Sequence, residues 1–238
     1  MSAVPTEIRT AAVLPVKAFE RAKQRLGQSV AEPLRRALAG AMVADVLVAL
    51  SRTEGIERTI VVTRERSVAG AAAELGAIVL EDAAESGQSA AALLGISRAL
   101  ADGFDRVLCV PGDCPSLDPE ELAALLRGGP GGSAEPEVVI VPDRHGEGTN
   151  GLLLTPPTAI VPSFGPGSCE RHLELARDAG IPSRLSRPRS LLLDIDTGAD
   201  LAELRERLAG EEGIRAARTR AVLGDPERPG ALPLSSRG

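Results

Sequence analysis

A chain of 238 residues is long enough for one sizeable α/β domain with a full core, and no linker divides it in two. With 1% aromatic residues and neither Trp nor Tyr, that core must be built from Leu, Val, Ile and Ala. A net charge of −6 argues against a general nucleic-acid binder, and no apolar run approaches the ~20 residues that a membrane-spanning helix needs.

Along the chain, strand-like and helix-like segments alternate. Ala11–Val16 reads as a first buried strand, and apolar positions every three or four residues predict a helix over Ala31–Leu50. Arg58–Thr63 is a second strand, followed by an Ala-rich helix to Leu75; Ala77–Glu81 is a third strand and Ser89–Ala101 another helix. Asp105–Asp113 is a strand running into a turn. Asp118 then caps a helix with Pro119 in its first position and acids where the helix dipole favours them.

Glu137–Pro142 and Gly151–Thr155 read as further strands, with Ser168–Ala179 as a helix after them. A last strand is expected over Ser190–Asp196, passing into a helix capped by Thr197 with Asp200 three positions on. After about Gly210 the pattern weakens, and residues 223–238 read as a disordered tail. This alternation predicts an α/β fold, a mostly parallel central sheet with helices on both faces. In such sheets ligands bind beyond the carboxyl ends of the strands, so residues just after each strand are the candidates for function.

From Met1 to Arg36 the charge balance reverses, with seven basic residues against three acids. A basic patch on an acidic protein suits a small anionic ligand, although a solvated helical face has the same composition. Lys17, Lys23 and Arg25 follow the first strand, where cations gathered together would offset the charge of a polyphosphate. The segment is neither a P-loop nor a GxGxxG fingerprint.

Asp113 lies in a Gly-Asp-Cys-Pro turn after the fourth strand, either as a turn former or as a ligand. Asp194 and Asp196 are two apart, so on a strand they share a face; a cation between them would relieve their repulsion, and Mg²⁺ suits such a set. Asp113 would complete that site. A glycine turn before Ser168 offers N–H groups and a hydroxyl to an anion, though an ordinary N-cap looks the same. Neither histidine, His145 nor His172, is assigned a role. Cys109, Cys114 and Cys169 lack CxxC spacing and are odd in number, which points to reduced thiols; with no signal-peptide pattern, a cytoplasmic location is expected.

Five segments in this order, "LPVKAFERAKQRL", "VPGDCPSLDPEEL", "VPDRHGEGTNGLLL", "FGPGSCERH" and "LDIDTGADL", resemble the guanylyltransferase family of deazaflavin-coenzyme biosynthesis. The resemblance implies a single Rossmann-like nucleotidyltransferase domain over residues 1–222, joining GTP to phosphoenolpyruvate or 2-phospho-L-lactate with release of pyrophosphate. Phosphoenolpyruvate is the favoured acceptor, because the Ala/Arg-rich composition suggests a high-GC bacterium. By the same resemblance Lys17, Lys23 and Arg25 hold the GTP phosphates and assist the transfer, while Asp113, Asp194 and Asp196 bind Mg²⁺. Thr149, Gly165 and Ser168 bind the phosphorylated three-carbon acid, and an unstable product passes to a downstream transferase.

Two departures stand out. "SGQSAAAL" replaces a Leu-Asn segment of many relatives, leaving Gln88 and Ser89 as the candidates to meet the nucleotide, and Gly198 replaces the proline usual after Asp-Thr. Competing readings are a molybdopterin- or sugar-phosphate nucleotidyltransferase, whose glycine-rich first loop is missing, and a GTP-binding protein without turnover.

Overall fold

The computed structural model describes residues 8–19, 30–83, 86–128, 135–210 and 212–224. Lys23 and Arg25, two of the expected phosphate-binding cations, lie outside the described residues, as does 225–238 of the expected tail. Seven strands form one sheet: β1 (Thr10–Val16), β2 (Arg58–Thr63), β3 (Ile78–Leu80), β4 (Arg106–Cys109), β5 (Glu137–Pro142), β6 (Thr149–Thr155) and β7 (Ser183–Leu185). Their order is β3-β2-β1-β4-β6-β5-β7. Neighbours pair in parallel except β6, which runs antiparallel to both β4 and β5. The helices are α1 (Glu32–Arg52), α2 (Arg66–Glu74), α3 (Gln88–Ala101), α4 (Pro119–Leu126), α5 (Ser168–Asp178), α6 (Gly198–Leu208), α7 (Glu212–Arg215) and α8 (Ala217–Gly224).

Strands β1 to β6 send alternate residues into two apolar layers, as a sheet covered on both faces requires. Leu14, Val61, Leu108, Val139 and Leu153 face α1, α2 and α4. Val13, Ile60, Val107, Ile140 and Leu152 face α3 and α5. The approach of α3 is set by Gly95, where a Cβ would stand 2.4 Å from Val13 Cγ1. A third layer lies outside α1, where Leu38 and Met42 meet Leu193, Ile195, Leu201 and Leu204. Helix α1 is therefore apolar on two sides, because it is packed on two sides.

Two expectations are corrected. Ser190–Asp196 is not a strand: Arg189–Leu191 is one turn of 3-10 helix and the rest is irregular. Its backbone groups find partners outside the sheet, with Ser190 N donating to Glu121 Oε2 at 2.8 Å and Ile195 N to Asp113 O at 3.2 Å. The period-two burial survives, since Leu191, Leu193 and Ile195 are buried while Asp194 and Asp196 are partly exposed. The seventh strand is instead Ser183–Leu185, a short edge piece without an apolar pattern, paired to β5. Helices α7 and α8 follow Gly210, and α8 carries residues 223 and 224, which were expected in the tail.

Candidate functional site

The chain leaves β1 toward β2 on one side, while β4 pairs with β1 on the other. The carboxyl ends of β1 and β4, where the strand order reverses, are the usual binding place in an open α/β sheet. Lys17 stands there, exposed, just past Val16. Phe19, 6% exposed, anchors the chain beyond it, and its N–H donates to Glu65 Oε2 at 3.3 Å. After β4 comes the Pro-Gly-Asp-Cys turn. Gly112 is required there by close approach, as a Cβ would come within 2.9 Å of Val43 Cγ2.

The turn brings Asp113 against Asp194. Asp113 O receives Ile195 N, and the Cys114 thiol donates to Leu191 O at 3.8 Å. Burial raises the proton affinity of the Asp194 carboxyl, and the charge of Asp113 raises it further, with a smaller push from Asp196. Asn150 opposes this by donating to Asp194 Oδ1 at 3.1 Å while also holding Leu191 O at 2.8 Å. Among the described residues no group of three or more His, Cys, Asp or Glu side chains is arranged to hold a metal ion. The pair Asp113–Asp194 nonetheless fits Mg²⁺, which takes one or two carboxylates and completes its shell with water and phosphate oxygens.

Asp196 belongs to the cap of α6. Thr197 Oγ1 accepts from Asp200 N at 3.3 Å, and Asp200 Oδ2 accepts from the N–H of Asp196 at 3.0 Å and of Thr197 at 2.6 Å. This is the expected capping box, and it forms without the proline that Gly198 replaces. The other oxygen of buried Asp200 pairs with Arg144 at 2.5 Å, and Arg144 also reaches Glu203 at 2.6 Å. Arg144 thus ties the β5–β6 connection to the aspartate segment. Asp143 shapes that connection from within, accepting from Glu147 N at 3.0 Å and Gly148 N at 2.9 Å.

Thr149 and Asn150 are consecutive on β6, so their side chains leave on opposite faces. Asn150 faces the carboxylates. Thr149, 8% exposed, faces α5, where Ser168 Oγ donates to its Oγ1 at 3.0 Å. Gly165 and Gly167, in the turn before α5, have φ of +117° and +71°, conformations that favour glycine. Arg171 clamps this turn by donating to Pro166 O at 2.5 Å and Ser163 O at 3.0 Å.

The first N–H groups of α5 are already used, Ser168 N by Gly165 O and Cys169 N by Glu147 O. An anion would therefore meet the hydroxyl pair rather than these two amides. Ser89, at the start of α3, accepts from Phe164 N at 2.8 Å and braces the same turn, with Gln88 half-buried beside it.

Sequence reasoning missed His172. It is fully buried with Nδ1 3.0 Å from Thr149 Oγ1, and Ser163 N donates to its Nε2 at 2.9 Å. Burial, helped by the Arg171 charge, pushes its pKa down to about 4. Its place four residues after Ser168 on one helix, hence on the same face, was the available signal. Cys109 offers no nucleophile, because complete burial pushes its thiol up to about 12.

The sheet order, with its single reversed strand, and the polar groups gathered at the carboxyl edge define a nucleotidyltransferase-type α/β domain. Solved structures agree on the fold. A nucleotidyl transferase from Methanothermobacter thermautotrophicus superposes with a TM-score of 0.60 at 21% identity, over 84% of this chain and 97% of that one. A CMP:2-keto-3-deoxy-manno-octonic acid synthetase complexed with CTP gives 0.57 at 15% identity, over 84% and 98%.

The chain belongs to the CofC-like guanylyl transferase family, whose model matches residues 10–216. It is similar to a phosphoenolpyruvate guanylyltransferase of Conexibacter woesei, 50% identical over 90% of this chain and 95% of the relative. A protein of the same name from Sphaerobacter thermophilus is 40% identical over 82% and 92%. A 2-phospho-L-lactate guanylyltransferase of Methanothermobacter thermautotrophicus is 32% identical over 83% and 84%.

Proposed function

We propose that this chain transfers GMP from GTP to phosphoenolpyruvate, releasing pyrophosphate. The observation that carries the reading is the pair Thr149–Asn150: one backbone step sets a hydroxyl grip for a small anion beside a carboxylate pair suited to a cation. The relative named for phosphoenolpyruvate is 50% identical and the one named for 2-phospho-L-lactate 32%, which favours phosphoenolpyruvate as the acceptor.

A phosphate oxygen of the acceptor attacks the α-phosphorus of GTP. A new P–O bond forms, the bond between α-phosphorus and the bridging oxygen breaks, and pyrophosphate leaves in line. The attacking phosphate is already ionised near pH 7, so no side chain has to remove a proton. Catalysis is then alignment and charge neutralisation. Thr149, Gly165 and Ser168 would seat the acceptor, with Lys17, Lys23 and Arg25 on the triphosphate and Gln88 near the nucleoside. Ser89 would act by bracing the acceptor turn. Asp113 and Asp194, with Asp196 beside them, would hold Mg²⁺, which when bound offsets the triphosphate charge.

Buried cysteines, none in a disulfide, are compatible with a cytoplasmic enzyme, and among the described residues no helix is long and apolar enough to cross a membrane. A product with a reactive phosphoanhydride calls for a transferase that consumes it promptly.

Incubation with GTP, Mg²⁺ and each acid, read as pyrophosphate release, tests the proposal. Release with phosphoenolpyruvate at a kcat/KM at least about tenfold above that with 2-phospho-L-lactate is expected, the discrimination one well-placed contact gives. No release with either acid would end the reading. Asp113→Ala and Asp194→Ala should each abolish Mg²⁺-dependent turnover while circular dichroism and Tm stay near the parent.

A further inference from the structure

Thr149 has two polar neighbours, Ser168 Oγ and His172 Nδ1, each 3.0 Å from its Oγ1. His172 has a second partner, the Ser163 N–H, which points at Nε2 from 2.9 Å. An amide N–H can only donate, so Nε2 presents a lone pair and the proton of the neutral ring sits on Nδ1. Nδ1–H therefore donates to Thr149 Oγ1, and the Ser168 hydroxyl fills the other lone pair. A hydroxyl that accepts twice keeps its own proton for a third partner.

With the opposite tautomer Thr149 would spend that proton on the ring and turn a lone pair toward the ligand. The ring is held in place as well as in charge state. It is 0% exposed, meets the Phe164 ring edge-on at 5.3 Å between centroids, and stays neutral at pH 7.

We infer that His172 is a positioning residue: its Nδ1–H, oriented by the Ser163 amide, makes the Thr149 hydroxyl a dedicated donor to an anionic oxygen of the acceptor acid. This rests on the reading of Thr149 and Ser168 as the acceptor grip. A donor aimed in advance at an anion gains affinity for the acid and none for GTP. His172 touches neither substrate nor metal. Its contribution passes through Thr149.

The full-length chain labelled with ¹⁵N-histidine tests the tautomer directly. Its two histidines are told apart by a His145→Gln sample. A protonated Nδ1 and an unprotonated Nε2 for His172, unchanged from pH 5.5 to 8, are expected; an Nε2–H tautomer, or titration in that range, overturns the inference.

Kinetics test the consequence. His172→Phe removes both ring partners at similar volume and should raise KM for phosphoenolpyruvate about tenfold or more, the loss of one charge-assisted hydrogen bond, with KM for GTP within about twofold. His172→Asn, which keeps an N–H near the Nδ1 position, should recover most of that loss. His172→Gln, which keeps an acceptor for Ser163, should not.

Thr149→Val should match His172→Phe, and the double variant should be no worse than Thr149→Val alone. Additive losses, or equal rises in both KM values, overturn the inference. If His172→Phe does not fold, the tautomer and the Asn and Gln variants decide. An inactive parent, or a Thr149→Val variant with unchanged KM, sinks the underlying reading. An active parent with impaired Thr149→Val but unaffected His172 variants sinks the role of His172 alone.

Discussion

His172 also carries a stability consequence that does not depend on turnover. The folded ring takes up a proton only near pH 4, whereas in the unfolded chain it does so near its ordinary 6.5. Its burial as a neutral group is therefore without penalty above pH 6.5, and stability is lost as the pH falls from there through 4. The difference between those two values corresponds to about 3 kcal/mol. Urea midpoints measured from pH 7 to 4 should fall across this window, and His172→Asn should flatten that part of the profile. An unchanged slope in the variant would show that other groups govern acid unfolding.

At the scale of elements, two contacts set how pieces meet. Helix α3 rests on β1 only because Gly95 has no side chain; Gly95→Ala drives a methyl into Val13, and the overpacking should cost about 1–3 kcal/mol in a denaturant titration. The start of α6 depends on Asp200, which accepts from the N–H of Asp196 and Thr197 and pairs with Arg144. Asp200→Ala removes the cap and leaves the partly exposed Arg144 guanidinium with Glu203 alone, so a loss of about 1–2 kcal/mol is expected.

The same change should raise KM for the acceptor, because Arg144 would hold the connection that leads into Thr149 through Glu203 alone. The capping box was legible from Thr197 and Asp200, three apart in the chain. The role of Arg144 was not, because its acidic partners, Asp200 and Glu203, lie over fifty residues away.

For the molecule as a whole, the layer outside α1 closes the fold. Asp45 on α1, 1% exposed, accepts from Arg218 N at 3.2 Å and Thr219 N at 2.8 Å. These are amides of the first turn of α8, so a carboxylate from another helix does the work of an N-cap. Burial raises the Asp45 proton affinity, a cost that the two amides and Arg218 partly offset. Asp45→Ala should lower stability by about 2 kcal/mol and expose the α7–α8 segment to protease ahead of the sheet. Equal cleavage of parent and variant would contradict that assignment.

Local sequence by itself determined most elements and the chemical character of the site. The apolar runs at β1, β2 and β5, the 3.6-residue periodicity of α1 and the caps at Asp118 and Thr197 depend on neighbours a few residues away. The five motif segments carried the family. Tertiary structure decided the rest. Whether Ser190–Asp196 pairs as a strand depended on Glu121 and Asp113, which take its amides, and no local pattern encodes that competition.

The β7 strand is three residues with no apolar rhythm, and it exists because the edge of β5 accepts it. His172 looked like an ordinary helical residue until folding placed Thr149 and the Ser163 amide at its two nitrogens. A side chain's role in the site follows from which partner faces each atom, and that is settled only when segments far apart in the chain pack together.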